Sequence, residues 1–284
     1  MIRRAILALA AVTAVGSAAP AVAAEACDRA CLKGMVDAYL AAMLKHSPAG
    51  LPLASNVRFT EDLKEMKLGE GLWKDASKLR AYRQDFIDVR TGQAGAHVIV
   101  EQNGQPALLA LRLKVADRKI TEVETQVSRN KEEGVIFELA GLEATQPLMN
   151  RAPTAAERNN REELIKAASA YPAGLQAGSF AGAPFADDAY RLENGAFMAG
   201  ANCTRNAECK NMRTQAIGGG RKGFQERLVL VDEEQQIVWY RMSWGRGEDR
   251  RLVVFEAFKV LGGKVVGVEA FMRLEPFDST SGWG

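Results

Sequence analysis

"LPLASNVRFTED" at residues 51–62 and "APFADDAYRLEN" at residues 183–194 align without a gap, and this pairing decides the fold. The offset is 132 residues: Pro52 meets Pro184, Ala54 meets Ala186 and Glu61 meets Glu193. The match starts earlier, where Tyr39 meets Tyr171. A second block matches at an offset of 145. There Lys114-Val115 meets Lys259-Val260, Ile120 meets Val265, and Val123-Glu124 meets Val268-Glu269. The 13 extra positions fit an insertion in the second copy, which holds Cys203 and Cys209. Solenoid repeats run to about 20–50 residues, so a period this long marks duplicated domains.

Each copy opens with a helix. Val36, Tyr39, Leu40 and Met43 form one apolar stripe of a helix expected over residues 28–45. A partner helix is expected near 161–174. A short strand is expected near 56–60. Longer strands are expected at 83–90, 94–102, 107–116 and 119–129, broken by turn signals such as Gln102-Asn103-Gly104 and Asp117-Arg118. The second copy repeats them at 223–231, 236–244, 251–261 and 264–274, after a stretch read as irregular. A helix against a curved antiparallel meander, twice, is an α+β chain of two tandem cone-shaped domains.

The expected boundaries are a signal peptide at 1–24, a first domain at 25–140, a linker at 141–158, a second domain at 159–277 and a mobile tail at 278–284. Arg3-Arg4, the apolar run Ala5–Gly16 and the small residues Ala21-Val22-Ala23 make the export segment. The protein is therefore expected in the periplasm or outside the cell after cleavage. No other stretch is apolar enough to span a membrane. Thirty-seven basic and 35 acidic residues leave a net charge of +2, which gives no footprint for nucleic acid. Four cysteines in an exported chain favour disulfides. Cys203 with Cys209, and Cys27 with Cys31, are the candidate pairs, although four cysteines permit three pairings. No cysteine–histidine cluster argues for a metal.

This element order resembles the nuclear-transport-factor-2-like superfamily, also called ketosteroid-isomerase-like or SnoaL-like. That resemblance implies a helical layer and a bent sheet around one pocket, working without a cofactor. A closer resemblance rests on "LPLASNVRFTED…LGEGLW" (Leu51–Trp73), "ALLALRLKV" (Ala107–Val115), "ITEVET" (Ile120–Thr125), "RLENG" (Arg191–Gly195) and "VDEE" (Val231–Glu234). These look like a largely uncharacterised exported family with the same two-part plan. The chain departs from that family at Asp62-Leu63-Lys64, where Asn-Gly is common, and at Glu226-Arg227, where Arg-Arg is.

Alternate residues of a strand share a face, so His97, Ile99 and Glu101 point one way. A histidine with a carboxylate two strand positions away on one face suits acid–base chemistry. His97 is the expected general acid or base, Glu101 its orienting partner, and Tyr39 a donor to developing oxyanion charge. The competing reading makes His97 a sheet residue and Tyr39 core filling. In the second copy Arg191, Glu193, Trp239 and Arg241 are the expected substrate-binding set, since an arginine among aromatics holds a carboxylate or stacks on a ring. The competing reading is an Arg–Glu pair fixing a loop and tryptophans packed between domains. Glu124 and Glu269 are matched and expected to pair with Arg112 or Arg273. "IGGGRKG" (Ile217–Gly223) lacks the ending of a phosphate loop and reads as a flexible loop.

The functional expectation is an exported protein with a pocket for a small hydrophobic or aromatic molecule. As an enzyme it would be a cofactor-independent lyase, isomerase or dehydratase. The alternative is a non-catalytic binding or assembly module of the cell envelope. Homodimers are expected from sheet pairing in the superfamily, unless the two copies already pair within one chain.

Overall fold

The computed structural model describes residues 26–215, 217–280 and 282–283. The expected signal segment lies outside them. The chain runs α1 (Arg29–Leu44), β1 (Leu53–Glu61), β2 (Lys64–Glu65), β3 (Ala76–Asp88), β4 (Gln93–Gln102), β5 (Gln105–Ala116) and β6 (Lys119–Ser128). Two single-turn helices follow, α2 (Lys131–Gly134) and α3 (Pro147–Asn150). The second unit has α4 (Arg161–Ala177), β7 (Phe185–Glu193), β8 (Ala196–Ala199), β9 (Gln225–Asp232), β10 (Ile237–Arg246), β11 (Arg250–Leu261) and β12 (Lys264–Pro276). The result is two α+β units, each with a six-stranded mixed sheet, ordered β2-β1-β6-β5-β4-β3 and β8-β7-β12-β11-β10-β9.

Local chemistry explains the elements. The Asp28 carboxylate accepts the Cys31 N–H and caps α1. Asn160 with Glu163 forms a capping box at α4, and Gly178 ends that helix in the left-handed region. The helix runs on past the expected stop at Gly174 and through Pro172. Asn103-Gly104, Asp117-Arg118 and Gly262-Gly263 all have positive φ at both residues, as the tightest hairpin turns require. The stretch after α4 that reads as irregular is in fact β7 and β8. Each sheet's parallel pair, β1 with β6 and β7 with β12, joins residues matched across the repeat: Phe59 opposes Val123, and Arg191 opposes Val268.

Both faces of each sheet are buried. One face lies under its own helix: Val98, Val100, Leu109 and Leu111 pack with Tyr39 and Met43. Tyr240, Met242 and Trp244 pack with Tyr171 and Leu175 in the second unit. The opposite faces meet each other and form a third core, containing Tyr82, Phe86, Ile99, Trp239, Phe255 and Phe271. Gly95 serves this contact directly, because a Cβ there would sit 2.6 Å from the Trp239 ring.

The stretch expected as a linker buries Leu142 and Met149. It is fastened by Lys259, whose Nζ donates to the carbonyls of Met149 (3.1 Å), Arg151 (2.7 Å) and Gln235 (2.7 Å). The described part of the tail is also held. Arg58 and Arg251 donate to the carbonyls of Gly282 and Ser279, and Trp283 Nε1 donates to Thr60 Oγ1 at 2.9 Å. Disulfides join Cys27 to Cys31 and Cys203 to Cys209. No described helix is long and apolar enough to cross a membrane.

Candidate functional site

The two cones differ in what fills them. In the first, a 3-10 turn at Gly71–Lys74 drives Trp73 under the sheet. Trp73 Nε1 donates to the Tyr39 hydroxyl at 2.9 Å, with the rings edge to face at 5.2 Å. The Glu61 carboxylate accepts the Leu72 N–H, and Gly71 lies against it so closely that a Cβ would fall 2.4 Å from Oε1. Burial pushes Glu61 up to about 7.

In the second cone the ring stacked on Tyr171 is Phe180, at 4.8 Å, and it leaves space beside the tyrosine. A cavity of about 190 Å3 remains, lined by α4, β7, β8, β10, β11, β12, the segment that leads into β9 and the stretch after α2. Tyr171, the counterpart of Tyr39, accepts from Arg191 Nη1 at 3.1 Å. Arg191 Nε lies 3.2 Å from Glu193 Oε1. Glu256 rises from β11 into the cavity, 2% exposed, with Oε1 lacking a partner. Burial pushes its carboxyl up to about 8, and the nearby Glu193 charge adds to the effect. At the positions matched to Arg191 and Glu256, the first copy has Phe59 and Leu111. The polar lining is therefore particular to the second copy.

The expected catalytic residues stand in three separate places. His97 is fully buried in the third core. It stacks on Phe271 at 4.4 Å, meets Phe86 edge to face, and accepts from Trp239 Nε1 at 3.2 Å. Burial holds it down at about 3, so the ring is neutral. Glu101 lies at the strand end, 3.3 Å from Arg80. Tyr39 is closed off by Trp73, and burial raises its hydroxyl far above the ordinary range.

The expected binding set divides in two. Arg191 and Glu193 line the second cavity together. Trp239 and Arg241 face the other sheet, with Trp239 stacked on Phe86 at 4.9 Å and Arg241 3.7 Å from Glu124. Glu124 also pairs with Arg112 at 3.5 Å and Arg227 at 2.6 Å. Glu269 instead accepts from the hydroxyls of Tyr82 (2.6 Å) and Tyr190 (2.7 Å), and Arg273 pairs with Glu275 and Glu133.

The charged and aromatic lining extends beyond the expected set to Glu256, Arg221, Arg246 and Trp244. Glu256 was legible in principle, as an acid in an apolar strand where the matched strand has leucine. Arg221 sits in the glycine-rich run read as a flexible loop. It comes over the Trp244 ring at 4.7 Å, in the segment between the Cys203–Cys209 loop and β9. Among the described residues, no group of three or more His, Cys, Asp or Glu side chains is placed to hold a metal ion.

Comparison with known proteins reaches the second copy. A domain of unknown function (DUF8021) matches residues 157–272. No curated protein matches the chain. Similar solved structures include a de novo designed protein with a curved β-sheet, at 19% identity and a TM-score of 0.31, covering 36% of this chain and 88% of that one. Another is an NTF2-like protein of unknown function from Cytophaga hutchinsonii, at 14% identity and a TM-score of 0.28, covering 35% of this chain and 90% of that one. Over its second copy, then, the chain is similar to a domain whose function has not been assigned.

Proposed function

We propose that this is an exported small-molecule protein whose working pocket is the cone of the second domain, residues 159–277. The first domain, residues 25–140, acts as its structural partner. One observation carries this reading: a buried carboxyl, Glu256, faces a partly open cavity beside Arg191 and Tyr171, where the matched site has Leu111 and Phe59 and is closed by Trp73. The Glu256 carboxyl has Tyr171 as a hydrogen-bond partner but keeps Oε1 buried without one, and a buried oxygen left unsatisfied is costly to keep without a role. A cavity of about 150 Å3 already accommodates benzene, so about 190 Å3 suits a single ring or a branched chain with one head group. The two disulfides fit export to an oxidising compartment.

The pocket suits cofactor-free proton transfer. Glu256, held protonated near neutral pH, gives a proton to a leaving or carbonyl oxygen, and Arg191 with Tyr171 steadies the charge that develops. This places the acid–base role on Glu256 and leaves His97 to hold the domains together. Lyase, isomerase and dehydratase reactions all fit that chemistry. The test is native mass spectrometry of the mature protein purified from its host, beside the double variant R191F/E256L, which copies the first cone. A small molecule carried by the natural protein and lost from the folded variant supports the pocket. Equal retention by both would refute it.

A further inference from the structure

The charges around the second cavity do not balance, and the excess is positive. Arg191 is matched by Glu193 at 3.2 Å. Glu256 is held toward its neutral form by burial. Arg221 and Arg246 also line the cavity; Arg221 feels Glu193 only beyond ion-pair distance, and Arg246 stands exposed at the rim. Arg221 Nε is buried without a hydrogen-bond partner, as is Nε1 of Trp244, the ring beneath it. Both are donors. The rest of the wall is apolar, with Leu175, Ile217, Val254 and Met272.

Resting on the pocket reading above, we infer that the ligand of the second cone is a small monocarboxylate with a compact apolar body, gripped at its head by Arg221. The buried Nε–H of the half-buried Arg221 and the buried indole N–H of Trp244 each lose hydration without a protein acceptor. A carboxylate supplies acceptors to both and cancels the unpaired charge. A planar guanidinium receives the two oxygens of a carboxylate as a fork. Phosphate answers the same cations but fits less well, because its second charge would stand against Glu193 within a cavity of about 190 Å3. The apolar wall takes an aromatic ring or a branched aliphatic chain. Arg221 lies in the glycine-rich segment that leads into β9, and it brings the head-group contact to a wall otherwise built from the helix and sheet.

The experiment is titration calorimetry of the mature full-length protein with benzoate and isovalerate, and with their neutral amides, benzamide and isovaleramide. One of the acids is expected to bind at least about tenfold more tightly than its amide, the scale of a charge-assisted hydrogen bond. R221Q is expected to remove that preference, weakening the acid at least about tenfold more than the amide, whose carbonyl loses only a neutral hydrogen bond. Arg221 is half-buried on a loop, and an unchanged melting temperature in R221Q checks that the variant folds. Equal binding of acid and amide would overturn the carboxylate assignment and leave the pocket standing. Binding of neither acid overturns the assignment, and the mass-spectrometric comparison then decides separately whether the pocket holds anything at all.

Discussion

Asp88 and Asp232 mirror each other across the contact between the two sheets. Asp88 accepts the Val231 N–H at 3.0 Å and Arg161 Nη2 at 2.7 Å. Asp232 accepts the Ile87 N–H at 3.0 Å and Arg29 Nη1 at 2.7 Å. Arg29 and Arg161 are each the first residue of their helix, and they lie at the repeat offset. Each copy thus ties its helix start to the other copy's sheet, as in a two-fold dimer made from one chain.

Because the two ties are equivalent, D88N and D232N should cost similar amounts. Each removes the charge from a buried carboxylate that holds a guanidinium and an N–H, which is worth about 2–4 kcal/mol. Urea titration of both variants measures this. A loss confined to one of them would show that the mirrored geometry is not energetically mirrored.

Stability should fall toward acid through His97. The folded ring titrates at about 3 and the free one at 6.5, so the folded state binds fewer protons between those values. Its contribution is present above 6.5 and is lost as pH falls toward 3. H97Q should flatten that limb. Glu61 and Glu256 act in the opposite direction. Their folded values of about 7 and about 8 lie above the ordinary 4.5, so their contribution is complete below 4.5 and is lost as pH rises through 7 to 8. Melting curves from pH 4 to 9 for the natural chain, H97Q and E61Q would separate the limbs.

H97A should lower stability by about 2–4 kcal/mol through the cavity left among Phe86, Trp239 and Phe271. Ligand binding in the second cone should be unchanged. Lost activity at an unchanged melting temperature would instead return His97 to the chemistry.

Trp73→Ala should cost about 3–5 kcal/mol and open the first cone. It also strips the Tyr39 hydroxyl of its donor. Indole added to this variant should restore part of the lost stability. No rescue would mean that the emptied cone collapses.

Replacing both Cys203 and Cys209 by serine should cost about 2 kcal/mol or less, since the closed loop is short. The sheets do not depend on it. Binding in the second cone should weaken more than stability does, because Met198 before the bridged loop and Ile217 and Arg221 after it all line the cavity.

Much of the fold was legible. The offsets at Glu61/Glu193 and Glu124/Glu269 identify the same two strands in both copies, and the turn residues mark each hairpin of the meander. The orientation of the sheets was not legible. Alternation groups His97 with Ile99, and Trp239 with Arg241, but it does not say which group faces the helix. The usual clue is one polar face, and here the other copy covers that face, so both groups are apolar enough to be inside. Strand β7 escaped because Asp187 and Asp188 break its apolar run. Within the site, Arg191 and Glu193 came from the repeat itself. Arg221 did not, since it sits in a glycine-rich run that reads as a flexible loop.

The Trp73 plug has a consequence for how this protein can change. In a homodimer of identical chains, every substitution appears in both cones at once, so a pocket cannot be remodelled without also remodelling its mate. Joining the halves in one polypeptide removes that coupling. Leu111 can stay a leucine while Glu256 becomes an acid, and Phe59 can stay while Arg191 takes a charge. The occupied half preserves the mating surface, and the vacant half is free to explore new ligands.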